Sequence, residues 1–180
     1  MFQSLLAKIG SALVRADIPY MVIGGQAVLL HGEPRLTRDI SITLGADNSA
    51  LNTLLELVRA VGLQVAVEDV DKFVRETNVL PVADQATGVR IGLIFSFMEY
   101  ERQAMGRAVA VEMEDTSVRF AAVEDLVIHK LIAGRPRDSE DIRGILARNH
   151  AMDREYLKVW LRSLSEALGR DLQKEFEDLV

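Results

Sequence analysis

The sequence predicts an α/β (α+β) protein: a mixed sheet flanked by helices, with a helical C-terminal extension. Three observations carry this expectation. Segment 38–44 alternates apolar with polar residues at period two, and 89–95 keeps the same period with Arg90 and Gly92 between its apolar residues, the pattern of strands with one buried face. Segments 2–15, 49–61 and 154–168 place apolar residues three and four apart, the pattern of amphipathic helices. From Val123 onward the helical pattern takes over. The expected division is a core over residues 1–121 and a helical extension over 122–180, packed together as a single compact unit.

The elements follow in order. Phe2, Leu5, Leu6, Ile9 and Leu13 form the apolar stripe of a first helix. Tyr20 to Ile23 is a short apolar strand ending in Gly24-Gly25, and Gln26 to His31 is a short helix stopped by Gly32 and Pro34. In 38–44, Ile40, Ile42 and Leu44 face one way and Asp39, Ser41 and Thr43 the other. Ser49 to Val61 is a helix with Leu51, Leu54, Leu55 and Val58 on one side, followed by a short strand over 63–67 and a mixed segment over 72–84. Val89, Ile91, Leu93 and Phe95 then oppose Arg90, Gly92 and Ile94. Segments 108–112 and 117–120 are further strand candidates, and helices are expected over 123–133, 138–148 and 154–168, with Gly169 as a break before a final helix.

Composition bounds the function. At 180 residues, 49% hydrophobic and 27% charged, the chain has the make-up of a globular protein with a real core. The absence of cysteine excludes disulfides, thiolate zinc sites and cysteine nucleophiles, and makes a cytoplasmic location the expectation. No run approaches the length of a membrane span, and the N-terminus lacks a basic start and a small-residue cleavage site. A net charge of -6 argues against coating nucleic acid through bulk electrostatics.

Four places carry possible chemistry. Gly24-Gly25, between a strand and a helix, lets backbone N–H groups approach a phosphate at the positive end of a helix, although glycine pairs also serve as plain tight turns. Asp39 and Ser41, two apart on a strand, share a face where two carboxylates would hold a divalent metal, but only one of them is a carboxylate. Lys130 falls inside the apolar arc of its helix, between Val123 and Leu126, where an ammonium needs an anionic partner or must snorkel outward. Asp138 lies one turn before Ile142, toward the apolar face of the next helix, as its N-cap or as a partner of Lys130.

Taken together these pieces resemble the polymerase-beta-like nucleotidyltransferases, and within them the AbiEii-type group, which includes toxins of bacterial toxin–antitoxin systems. A glycine pair followed by a T-x-D-h-D strand (h apolar) appears as Gly24-Gly25 and Thr37-Arg38-Asp39-Ile40-Ser41. A K-L element appears at Lys130-Leu131, and an R-D-x-x-D-h element runs from Arg137-Asp138 to Asp141-Ile142. The resemblance implies transfer of a nucleoside monophosphate from a nucleoside triphosphate to a hydroxyl acceptor on RNA, protein or a small molecule, with Mg2+ as cofactor and a cognate antitoxin as a possible partner. It makes Asp39, Lys130 and Asp138 catalytic positions, Asp39 a metal ligand, and Gly24, Gly25, Ser41 and Lys130 nucleotide contacts.

The pattern also departs from the family. Ser41 replaces the second carboxylate, and in the run 90–95 the position of a third carboxylate is Gly92. With two of three anionic ligands missing, weak Mg2+ binding and an impaired or diverged transferase are expected. The alternative is a non-catalytic member of the fold that binds a nucleotide, RNA or a protein. Glu33, Asp47 and Glu99 read as solvated surface charges rather than replacement ligands. The apolar stripe of Leu157, Trp160, Leu161, Leu164 and Leu168 reads as packing on the protein's own core, with a partner surface as the other use.

Overall fold

The computed structural model describes residues 1–96 and 98–180. Among these residues, helix α1 (Phe2–Arg15) leads into strand β1 (Tyr20–Ile23), helix α2 (Gly24–His31) and strand β2 (Asp39–Leu44). A 3-10 turn at Asn48–Ala50 opens helix α3 (Leu51–Ala60), and strand β3 (Gln64–Val65), helix α4 (Val70–Thr77), strand β4 (Val79–Asp84) and strand β5 (Val89–Phe95) follow. Helix α5 (Glu99–Arg107) precedes the hairpin of β6 (Val109–Met113) and β7 (Thr116–Phe120). The chain ends in helices α6 (Val123–Ala133), α7 (Pro136–Arg148), α8 (Arg154–Leu168) and α9 (Leu172–Glu177).

The strands form a mixed sheet in the order β3-β4-β5-β2-β1-β7-β6. β1 runs antiparallel to β2 and parallel to β7, while β2 runs parallel to β5. Side chains alternate across a strand, so this register assigns the two faces. Tyr20, Val22, Ile42, Leu44, Ile91 and Leu93 are buried on one face, and α1 lies over it, with the Tyr20 ring and Val118 against Gly10. On the other face of β2 exposure falls along the strand: Asp39 is exposed, Ser41 half-buried and Thr43 fully buried. Asp39 and Ser41 therefore sit at the mouth of a covered face, where chemistry can reach solvent.

Most expected elements are present, with instructive differences. The mixed segment over 72–84 is α4 and β4, separated by Asn78 in the left-handed conformation (φ 55), which Asn tolerates at a helix C-terminus. The strand expected over 63–67 shortens to Gln64–Val65, and the helix over 49–61 begins as the 3-10 turn, with Asp47 accepting from the Ser49 N–H. Helix α5 has no counterpart in the sequence pattern, because it buries only Tyr100 and Ala104 and so shows no stripe. Gly134 and Gly169 end α6 and α8 in the left-handed conformation that only glycine adopts without cost.

The C-terminal helices join the sheet in one continuous core. Leu126, Ile128, Ile142, Ile145, Leu157 and Leu161 are buried with residues of the strands. Trp160 packs on Tyr100 with ring centroids 5.2 Å apart, and Leu157, Leu161 and Leu164 are buried, so the stripe of α8 is used internally except at its end, where Leu168 is exposed. A polar seam closes the same junction. Asp125, fully buried, accepts from Tyr156 at 2.7 Å and Tyr100 at 3.0 Å, while Arg107 binds Glu124 at 2.7 Å and lies over the Tyr156 ring. Burial pushes the Asp125 carboxyl up; hydrogen bonds from Tyr156 and Tyr100 oppose this and do not cancel it. Among the described residues, no helix is long and apolar enough to cross a membrane.

Candidate functional site

The site begins with the glycine pair. The first turn of α2 includes Gly24 and Gly25 themselves, two residues earlier than the sequence pattern places the helix start. Gly24 has φ +65, and a Cβ there would lie 3.3 Å from Ser41 Oγ. A Cβ on Gly25 would lie 2.8 Å from Thr37 Cβ. Glycine is thus required at both positions: the backbone of α2 touches the strand that carries Asp39 and Ser41. No side chain caps this helix end, so its first N–H groups are not occupied by a capping oxygen.

Strand register completes the surface. Asp39 pairs with Arg90 and Ser41 with Gly92 across the β2–β5 ladder, so all four share one face. The position expected for a third carboxylate does lie beside Ser41, and it carries no side chain. Both oxygens of Asp39 are engaged by Arg90: Nε donates to Oδ1 at 2.9 Å and Nη2 to Oδ2 at 3.4 Å. Thr37 Oγ1 donates to the Asp39 carbonyl at 3.3 Å.

A divalent cation here would have Asp39 and Ser41 as its side-chain ligands, one carboxylate where the resemblance implies three, and that donor set fits it poorly. Mg2+ sites in phosphoryl-transfer enzymes rest on one or two carboxylates with phosphate and water. Here the one carboxylate is already held by a guanidinium, and the serine is neutral. Among the described residues no group of three or more His, Cys, Asp or Glu could hold a metal ion. The other carboxylates near in sequence are elsewhere: Asp47 caps the turn at the far end of β2, Glu99 binds Arg102, and the Glu33 side chain lies against Gly144.

Lys130 and Asp138 form a second, buried group. Lys130 is 3% exposed, and its ammonium donates to Asp138 Oδ1 at 2.8 Å and to Asp141 Oδ2 at 2.5 Å. Each carboxylate also has an arginine. Arg35 grips Asp141 with two bonds of 2.7 and 2.9 Å, and Arg135 binds Asp138 at 2.8 Å. Asp138 is the third residue of α7 rather than its N-cap, and reaches back to the Arg135 N–H at 3.1 Å. Its partnership with Lys130 and its part in starting the helix are therefore both real. Burial raises the Asp138 carboxyl, but the bonds from Arg135 and Lys130 outweigh it and hold the group below the ordinary carboxylate value.

Arg35 connects the two groups. It stands in the 32–38 connection between α2 and β2, so the Asp141 bond anchors the loop that carries Thr37 and delivers Asp39. A cavity of about 230 Å³ touches Lys130 and Asp138, but it is lined on its other sides by Gly134, Arg170 and Glu175 rather than by Asp39 or Ser41. Sequence reasoning missed Arg90, Arg35 and Asp141 as partners. Two of them had a signal. Arg90 is two residues before Gly92 on a strand, and Asp141 is one helical turn after Asp138.

Comparison with known proteins gives the fold a context. Residues 2–167 match the model of a family described as nucleotidyltransferase of unknown function (DUF6036). No curated protein matches the chain by sequence. The solution structure of the antibiotic-resistance factor ANT(2'')-Ia superposes with a TM-score of 0.62 at 18% identity, covering 93% of this chain and 94% of that one. Its crystal structure in complex with adenylyl-2''-tobramycin gives 0.59 at 16% identity, over 98% and 97% of the two chains. An antigenic nucleotidyltransferase-like protein from Paracoccidioides brasiliensis gives 0.57 at 15% identity, over 97% and 91%. Similarity at this level of identity is similarity of fold, and it agrees with the mixed sheet flanked by helices.

Proposed function

The chain belongs to the DUF6036 family of nucleotidyltransferases of unknown function, and from that premise we propose that it binds a nucleoside triphosphate with its nucleotidyl-transfer chemistry impaired. The binding face is the one where Gly24, Gly25, Asp39, Ser41 and Gly92 meet. One observation carries the reading: Ser41 and Gly92 lie side by side in register, at the two places where the resemblance calls for carboxylates. In two-metal transfer the carboxylates hold cations against the attacking and leaving oxygens. Loss of two anionic ligands weakens that hold, while the glycine turn that approaches a phosphate is kept.

Within this reading Lys130 and Asp138 are positioning residues. Through Asp141 and Arg35 they fix the 32–38 loop against the helices, and so the place of Thr37 and Asp39. Any residual transfer moves a nucleoside monophosphate to a hydroxyl acceptor; ANT(2'')-Ia, seen with adenylyl-2''-tobramycin, motivates small hydroxylated molecules beside RNA and protein as acceptors to assay. The AbiEii-type motifs make a cognate antitoxin part of the same proposal, with action in the cytoplasm.

Calorimetry with each of the four nucleoside triphosphates, with Mg2+ and with EDTA, tests the binding; transfer of label from α-labelled nucleotide tests the chemistry. Binding of at least one nucleotide with transfer far below enzymatic rates is expected. No binding under either condition overturns the nucleotide reading, and rapid Mg2+-dependent transfer overturns the impairment. The double change Ser41→Asp with Gly92→Asp should raise Mg2+ affinity; if metal binding stays flat, the two positions are misassigned.

A further inference from the structure

We propose that the Arg90 guanidinium takes the place of the divalent cation beside Asp39, making this face a metal-independent binding site for a polyphosphate chain. The inference rests on the nucleotide reading above and adds to it which group meets the phosphates. A metal ion in such a site would bridge a carboxylate on the protein to oxygens of the triphosphate. Arg90 already makes the protein half of that bridge, with two N–H groups on the two oxygens of Asp39. A guanidinium has five N–H donors in a planar fork, so three remain. The Arg90 side chain is 74% exposed, which leaves those donors open to a ligand.

Charge favours the same conclusion. A face with three carboxylates repels a triphosphate until cations neutralise it. Here the positions of Asp39, Ser41, Gly92 and Arg90 sum to zero formal charge, so a polyphosphate meets no uncompensated anion. The geometry gives it room as well. Gly92 carries no side chain beside Ser41, and the residue across from Arg90 on β4 is the small Ala83. Arg90 is fixed by its strand rather than by a loop, and its pair with Asp39 holds one edge of the fork. Arginine suits this role better than lysine, because its planar fork can serve a carboxylate and a phosphate together.

The test uses inorganic tripolyphosphate and ATP as probes, titrated by calorimetry into the wild-type chain and into Arg90→Ala and Arg90→Lys, each with EDTA and with Mg2+. Arg90 is exposed, and thermal melting checks that both variants are folded. Wild type should bind with affinities that differ less than about threefold between EDTA and Mg2+. Arg90→Ala should lose roughly tenfold in EDTA, about 1.4 kcal/mol, and Arg90→Lys should recover only part of it. Wild-type binding that requires Mg2+, or unchanged EDTA binding in Arg90→Ala, overturns the role of Arg90 while leaving the nucleotide reading intact. Absence of any probe binding to wild type, in Mg2+ as well as EDTA, overturns both.

Discussion

Replacing Lys130 by Met isolates the buried network that anchors the site. Methionine has nearly the same length and fills the same space, so the change removes charge and hydrogen bonds rather than volume. Two bonds are lost, to Asp138 at 2.8 Å and to Asp141 at 2.5 Å. Removing one partner of a buried ion pair costs about 3–5 kcal/mol. The low end applies here, because Asp138 keeps Arg135 and Asp141 keeps both bonds from Arg35. A loss of about 3 kcal/mol in a chain of this size lowers the melting temperature by roughly 6–12 °C. The exposed pair Lys158–Glu155 is the control, since Lys158→Met should fall within about 0.5 kcal/mol of wild type. The pH dependence sharpens the test. The Asp138 carboxyl is held below its ordinary value in the fold, so its contribution is full above the unfolded pKa of about 3.9 and is lost as pH falls through the lower folded value. Lys130→Met removes part of that lowering, so its deficit should be largest near neutrality and shrink in acid. Urea denaturation at pH 7 and pH 3.5 measures both quantities. A deficit below about 1 kcal/mol at pH 7, or one that grows in acid, would refute the reasoning.

Three further outcomes follow from the same contacts. Alanine at the glycines should rank by space. Gly25→Ala, forced against Thr37, should cost about 1–3 kcal/mol. Gly24→Ala, strained by φ +65, should cost about 1–2 kcal/mol, and Gly92→Ala, with Val79 at an ordinary 3.7 Å, should be near neutral; equal losses in urea melts at all three would contradict the close approach of α2 to β2. His129 is half-buried with its Nε2 shut off from solvent, and burial lowers its pKa to about 4. The unfolded chain, with a histidine near 6.5, then takes up the proton first as pH falls, so wild type should lose roughly 2–3 kcal/mol more than His129→Leu between pH 7 and pH 4.5; parallel losses would show that His129 is not held neutral. Tyr156→Phe removes the 2.7 Å bond to buried Asp125 and should cost about 1.5–3 kcal/mol by chemical denaturation, whereas a neutral change would mean that Tyr100 and Arg107 satisfy the carboxylate without it.

How much of this could be read beforehand depends on where the determining force acts. β2 and β5 were legible because each must bury every second residue, and burial leaves a period in the sequence. Helices α1, α3 and α8 were legible for the same reason at period 3.6. Helix α5 was not, because Glu99–Arg107 buries only two residues and is held by non-local contacts such as the Tyr100 bond to Asp125. Helix α4 buries Val74 alone, and it too was merged into an undefined segment. A pattern exists only where an element's own apolar face decides its structure.

The site divides along the same line. Lys130 announced itself by breaking an apolar arc, and the structure gives it the anionic partners that such a break requires. Asp141, which shares the burden, was marked only by its place one helical turn after Asp138, and Arg35 gave no sign at all, since it bonds a residue 106 positions away. Motif matching registers the carboxylates that are missing from Ser41 and Gly92, and from that count alone the site reads as a loss. The cross-strand register adds what the count omits, since the residue facing Asp39 is a cation. A lone carboxylate at the mouth of a phosphate-approaching turn would be an electrostatic obstacle to the ligand that the turn invites. Paired with Arg90 it becomes a clamp for the arginine, and the two small neutral residues beside it leave the space that a phosphate chain needs. On the proposed reading, Ser41, Gly92 and Arg90 make one consistent arrangement, in which the chain itself carries the charge that a metal ion would otherwise supply.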